Sequence, residues 1–276
     1  MFNYVISLKS SIERRKHIEK EFGKQNIPYS FFDAFQPNEE NENTIQQYVP
    51  SLNKTDLTIG EKGCLMSHVL LWQKCVDENL PFIAIFEDDI FLSSVANKFL
   101  CQYNWLKERF DFNQYFILRL ETQLMQSIYK NTEIQCFQHH DFIQLMSSHW
   151  GTAGYIISQL AAKKLLGLFK SPNLSLEPID VILFESLLKE EQYPVYQLDP
   201  ALLVQDFVWN KENCQLTSIL EPDRSKRKII NINEKEKRNL WQKIQREIWR
   251  YKRRKLLKEK GYRLIKFYKH NLRNNK

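Results

Sequence analysis

Residues 82–86 read Phe-Ile-Ala-Ile-Phe and run straight into Glu87-Asp88-Asp89. Five apolar residues without alternation suit a strand buried on both faces. Three adjacent carboxylates repel one another and are costly to take out of water. Both facts fit a central strand of an open α/β sheet, because such sheets bind ligands beyond the carboxyl ends of their parallel strands. The natural neutraliser is a divalent cation, since Mg²⁺ or Mn²⁺ takes one or two carboxylates and completes its shell with phosphate and water. This strand end therefore reads as a metal–diphosphate site. The competing reading is a solvated acidic turn.

The surrounding pattern agrees with such a sheet. Residues 2–8 read as a buried strand, 12–25 as a surface helix whose apolar positions are Ile12, Ile18 and Phe22, and 29–35 as a second strand. Strand, helix and strand in so short a span make a βαβ unit, which implies parallel pairing. The polar stretch 36–56 reads as a loop. Thr58 and Glu61 have capping-box spacing and open a helix to about residue 78. Further helices are expected over 95–109, 159–169 and 178–189. Strands are expected at 115–120, near 128–137, and at 142–146, 155–158 and 194–198. The fold class is α/β, a mostly parallel sheet flanked by helices.

Charge divides the chain. The last 53 residues, 224–276, hold 21 Lys/Arg against 4 Asp/Glu, whereas residues 1–223 hold 19 against 29. We read 1–223 as one domain and 224–276 as a basic helical tail, amphipathic over about 234–269. Trp241, Ile244, Ile248 and Tyr251 lie along one face there. Such a helix suits an anionic membrane surface; nucleic acid is the rival partner for the same charges and ranks second. The N-terminus lacks a basic n-region, and no apolar run is long enough to span a bilayer. The five cysteines are spread out without a CxxC pair, which fits reduced, structural thiols.

Five blocks in series resemble glycosyltransferase family 25, which includes bacterial lipooligosaccharide galactosyltransferases. They are Val5-Ile6-Ser7-Leu8 with Ser11 and Arg14-Arg15; Ile27-Pro28 leading to Phe32-Asp33-Ala34; residues 57–64 with Ser67-His68 and Trp72; residues 84–89; and residues 151–158. The resemblance spans about residues 2–205. It implies a GT-A-type fold, a nucleotide-sugar donor that is usually UDP-galactose, inversion at the anomeric carbon, and a lipid-linked oligosaccharide acceptor at the inner face of the cytoplasmic membrane. Glu87, Asp88 and Asp89 stand where related folds carry a D-x-D metal motif. Asp89 with Glu87 is then the expected ligand set for Mn²⁺ or Mg²⁺.

The chemistry constrains the remaining roles. Glycosyl transfer passes through an oxocarbenium-like state. A diphosphate leaving group needs charge stabilisation rather than a proton, so inversion asks for one base on the acceptor hydroxyl. Asp180, at the start of a late helix, is the first candidate; Glu177 is the second and Glu121 the third. The competing role for Asp180 is helix capping. Donor contacts are expected from Ser7, Leu8 and Asp33 at strand ends and from Arg14 or Arg15, only one of which can face the site. Trp150, with Gly151 and Thr152, is expected on the acceptor side, where an indole can stack under a sugar ring. His68 reads as a packed, hydrogen-bonded histidine ahead of a ligand. The sequence leaves the acceptor sugar, the donor epimer and the oligomeric state open.

Overall fold

The computed structural model describes residues 1–172, 174–210, 212–214, 216 and 263–267. In chain order the strands are β1 (Asn3–Ser7), β2 (Ser30–Asp33), β3 (Phe82–Glu87), β4 (Ile90–Leu92), β5 (Ile117–Arg119), β6 (Gln126–Ser127), β7 (Tyr129–Asn131), β8 (Asp141–Leu145), β9 (Gly154–Ser158), β10 (Val195–Asp199), β11 (Leu203–Gln205) and β12 (Arg263–Leu264). The helices are α1 (Ile12–Gly23), α2 (Glu42–Tyr48), α3 (Ile59–Asp77), α4 (Ala96–Leu100), α5 (Asn104–Lys107), α6 (Gln159–Phe169), α7 (Ile179–Val181) and α8 (Asp206–Trp209).

Eight strands form the main sheet in the order β2-β1-β3-β9-β5-β10-β8-β7. Parallel ladders join β1 to β2 and β3, and β5 to β10. The strand β9 runs antiparallel to both β3 and β5, and β8 runs antiparallel to β10 and β7. Six of the eight strands thus point one way, while the two reversed strands make the sheet mixed.

The strand β3 shows why its sequence lacks alternation. Ile83 and Ile85 enter one core with Leu65, Trp72 and Phe169 of α3 and α6; Phe82, Ala84 and Phe86 enter the other with Ile18 and Phe22 of α1 and with Phe99 and Trp105. Both faces are covered, so every side chain from Phe82 to Phe86 is apolar. At the start of α3 the capping box is formed: Thr58 Oγ1 accepts from Glu61 N at 3.2 Å, and Glu61 Oε2 accepts from Thr58 N at 3.0 Å.

Four expectations need correction. The stretch 36–56 is not a plain loop but contains α2 between two 3-10 turns, and Ile45, Val49 and Leu52 are fully or nearly fully buried there. The expected helix over 95–109 is two short helices, α4 and α5, between which the Tyr103 hydroxyl donates to Asn3 Oδ1. The expected helix over 178–189 is α-helical only in α7 and continues as a π-helical turn over Ile182–Ser186 and a 3-10 turn over Leu187–Lys189. Finally, the tail is not helical throughout. Residues 263–267 are extended against the body: β12 pairs antiparallel with β6, Ala201 N donates to Lys266 O at 2.8 Å, and Ile265 is fully buried. The rest of the basic tail, residues 224–262 and 268–276, lies outside the described residues. No helix among the described residues is long and apolar enough to cross a membrane.

Candidate active site

Register brings the site together at one sheet edge. Ile6 pairs with Glu87 and Ser7 with Asp33, so the carboxyl ends of β1, β2 and β3 are level. Because β9 is reversed, its beginning lies at that edge, with Gly154 opposite Phe86. The segment 150–153 therefore faces the carboxylates. A second, two-stranded sheet pairs β4 with β11 and sets Gln205 opposite Ile90.

The three carboxylates have distinct partners. Asp88 Oδ2 accepts from Ser7 Oγ at 2.6 Å, and Asp88 Oδ1 is paired with Arg14. Asp89 lies 3.4 Å from Arg14 Nη2. The Gln205 side-chain nitrogen bridges Glu87 Oε2 and Asp89 Oδ1, at 3.1 Å from each. Glu87 Oε1 accepts from Thr152 Oγ1 at 2.8 Å. Burial, then the charge of Glu87, raises the Asp89 pKa well above the carboxylate range, despite Arg14. Negative charge is thus under-compensated at this edge. The donor set is all oxygen and hard, so these residues fit Mg²⁺ or Mn²⁺.

A buried ion pair, Arg119 with Glu121, lies behind the 149–153 segment. The fully buried Arg119 guanidinium donates to the carbonyls of His149, Trp150 (2.9 Å) and Gly151 (3.3 Å), stacks over Phe184 at 4.3 Å, and meets Glu121 Oε1 at 3.2 Å. Glu121 Oε1 also accepts from Ala153 N at 2.8 Å. Burial pushes the Glu121 pKa up to about 8 and lowers that of Arg119, so desolvation outweighs their attraction. The sign follows from linkage. A carboxyl whose folded pKa is raised stabilises the fold while protonated, and that stability is lost as pH climbs from the usual 4.5 towards 8. Glu121→Gln is expected to flatten this decline in urea denaturation measured across that range.

Gly151 has φ +94°, and a Cβ there would lie 2.5 Å from Gln123 Nε2 and 2.9 Å from Glu121 Oε2. Gly151→Ala is expected to cost about 1–3 kcal/mol of stability from the backbone and the clash. Gly23→Ala, at a position with open space, serves as the control. On the front of the segment, Gly151 N donates to Asp180 Oδ2 at 3.2 Å. Successive residues thus link Asp180, through Gly151, and Glu87, through Thr152. Trp150 is half exposed, with its Nε1 donating to Glu185 Oε2 at 2.7 Å.

Comparison with known proteins decides the family. The sequence model of glycosyltransferase family 25 (LPS biosynthesis protein) matches residues 1–183. The chain belongs to glycosyltransferase family 25. Its relatives include the lacto-N-neotetraose biosynthesis glycosyltransferase LgtB of Neisseria meningitidis serogroup B, 43% identical over 81% of this chain and 83% of that protein. Another is the lipooligosaccharide biosynthesis protein lex-1 of Haemophilus influenzae, 41% identical over 86% of this chain and 87% of that protein. This family 25 chain is accordingly a glycosyltransferase.

Several expected contacts of this family 25 chain take a different form. Ser7 and Thr152 are buried, and their hydroxyls are committed to Asp88 and Glu87, so they hold carboxylates rather than face open space. Asp33 is exposed and paired with Arg15 (2.6 Å) and Lys9 (3.2 Å); the Arg15 hydrogen bond is the main cause lowering its pKa. The Leu8 carbonyl accepts from Arg15 Nε at 3.1 Å. The two adjacent arginines divide between partners: Arg14 turns to the Asp88 and Asp89 carboxylates, and Arg15 to Asp33 and the Ser7 and Leu8 carbonyls. Glu177 is not brought to the edge: it is exposed, accepts from Ser186 Oγ at 3.0 Å, and lines a separate 440 Å³ cavity with Ser51 and residues 54–57. Sequence reading missed Arg119, Gln205 and Glu185. The signal for Arg119 was present, since an Arg inside an apolar strand, two residues before Glu121, shares a face with it and needs a partner.

Proposed function

We propose that this enzyme has a GT-A-type fold and transfers galactose from UDP-galactose, with inversion, to a lipooligosaccharide acceptor. The observation that carries the reading is the joining of the Glu87–Asp89 cluster to Asp180 across two consecutive residues, Gly151 and Thr152. The donor diphosphate is assigned to the strand-end carboxylates. A divalent cation held by Asp89 and Glu87 would supply stabilisation of the leaving diphosphate charge. Arg14 adds fixed positive charge at the same edge.

Asp180 takes the proton of the acceptor hydroxyl as that oxygen attacks the anomeric carbon. The bond from that carbon to the diphosphate oxygen breaks, and its electron pair leaves with UDP. Asp180 is placed as the base ahead of Glu177, which lies away from the segment, and ahead of Glu121, whose carboxyl is buried behind it. The exposed Trp150 indole, steadied by Glu185, offers a flat apolar surface for the acceptor sugar. The galactose, uridine and inversion assignments rest on the family resemblance. The basic tail is assigned to an anionic membrane surface at the inner face of the cytoplasmic membrane, on charge alone.

The test is a screen of UDP-galactose, UDP-glucose and UDP-N-acetylglucosamine against soluble glycan acceptors, with the anomeric configuration of the product read by NMR. A β-linked galactoside from the α-linked donor is expected. Transfer of another hexose would overturn the donor assignment, and a retained configuration would overturn the mechanism. Because residues 263–267 pack on the body, the tail is better tested by neutralising Lys/Arg within 224–260 than by truncation. Such variants are expected to lose binding to anionic vesicles and keep turnover on soluble acceptors.

A further inference from the structure

Cys64 and His68 stand four residues apart on α3, so their side chains leave the same helix face. Glu87, at the end of β3, lies against that face. The Cys64 sulfur, a His68 ring nitrogen and a Glu87 carboxylate oxygen are all within 4.8 Å of one another. His68 is fully buried, and its Nδ1 lies 2.9 Å from the Tyr155 hydroxyl, which accepts from Trp72 Nε1 at 2.9 Å. Its Nε2 faces Glu87 Oε1 at 3.9 Å and has no hydrogen-bond partner among the described residues. Buried polar atoms are normally satisfied, so an orphaned ring nitrogen aimed at a thiol and a carboxylate asks for an occupant.

We propose that Cys64, His68 and Glu87 form a second cation site, selective for a thiophilic divalent ion such as Zn²⁺ or Co²⁺. One sulfur, one imidazole nitrogen and one carboxylate oxygen make a borderline-soft set that Zn²⁺ prefers and Mg²⁺ does not. The two oxygens of Glu87 divide the work. Oε2 shares the Gln205 amide with Asp89, whereas Oε1, which also accepts from Thr152 Oγ1 at 2.8 Å, faces His68. In a tetrahedral site the ligand atoms stand about 3.4 Å apart, so small rotamer shifts close the present spacing. Nδ1 then donates its proton to the Tyr155 oxygen, which fixes the tautomer that leaves the Nε2 lone pair for the ion. Cys64 releases its thiol proton to solvent as it ligates. Water takes the fourth position, and the half-buried Cys64 leaves a route for exchange. The bound ion ties α3 to the end of β3 and sets the direction of Glu87. The site shares Glu87 with the strand-end cation assigned above, whereas Cys64 and His68 take no part in the sugar-transfer reading.

The experiment titrates the full, chelator-treated chain with Co²⁺ alone. One equivalent is expected to give a near-ultraviolet thiolate-to-cobalt charge-transfer band together with tetrahedral ligand-field bands. Zn²⁺ should displace them and Mg²⁺ should not. Cys64→Ser should abolish the charge-transfer band, while Asp89→Asn should retain it. Absence of the band in the wild type, or its survival in Cys64→Ser, overturns the site, since Cys75, Cys101, Cys136 or Cys214 would then be the ligand. X-ray absorption of the zinc-loaded wild type gives a readout without any variant. One sulfur at about 2.3 Å with nitrogen and oxygen at about 2.0 Å is expected; a shell with no sulfur or several sulfurs contradicts it.

Discussion

Asp180→Asn is expected to lower kcat by about 10²- to 10⁴-fold, the usual contribution of a positioned general base. The substitution is nearly isosteric. Its amide oxygen still accepts from Gly151 N, so the segment that Asp180 holds stays in place. What disappears is the ability to take a proton from the acceptor hydroxyl. Donor binding, measured by titration with UDP, should change little, because Asp180 accepts its hydrogen bond from Gly151 N and the donor is assigned to the strand-end carboxylates. A kcat within a few-fold of wild type would move the base elsewhere. Glu121→Gln, already needed for the stability measurement, would then be the next variant to assay.

Asp89→Asn is expected to reduce kcat/KM by about 10²- to 10³-fold, on the scale of losing one electrostatic contact to a leaving group. The neutral side chain keeps an oxygen for the Gln205 amide but gives up the pairing with Arg14. Stability should move the other way. Burial and the charge of Glu87 disfavour the ionised form of Asp89, so its raised pKa means that the wild type loses stability as pH rises through the folded value. Asparagine carries no such charge, and the variant should be at least as stable as the wild type at neutral pH. A less active, equally stable protein is the signature of a site in which function strains the fold. Loss of both together would mark Asp89 as structural.

The parts of this site that sequence made visible are those where chemistry and periodicity speak locally. The β3 run and its acidic end, the Thr58–Glu61 cap and the different partners of Arg14 and Arg15 each follow from residues within a few positions of one another. The direction of β9 does not. Residues 154–158 read as a strand whichever way they run, and only pairing with β3 and β5 sets the 150–153 segment at the site edge. Gln205 was hidden for the same reason, since it reaches the carboxylates through the β4–β11 ladder, more than a hundred residues away in the chain. The α2 region was hidden by composition: its acidic and amide residues outnumber Ile45, Val49 and Leu52, yet those three bury against the core. At residues 263–267 the basic character of the tail masked a short apolar stretch that returns to the body.

The most direct measurement is Mn²⁺ binding followed by electron paramagnetic resonance, with and without UDP, in wild type and Asp89→Asn. If the strand-end carboxylates hold the cation that meets the departing diphosphate, UDP should tighten Mn²⁺ binding to the wild type and have no such effect in the variant. UDP that binds equally well in the presence of chelator, together with Mn²⁺ binding untouched by the substitution, would contradict the assignment of the donor site to Glu87–Asp89.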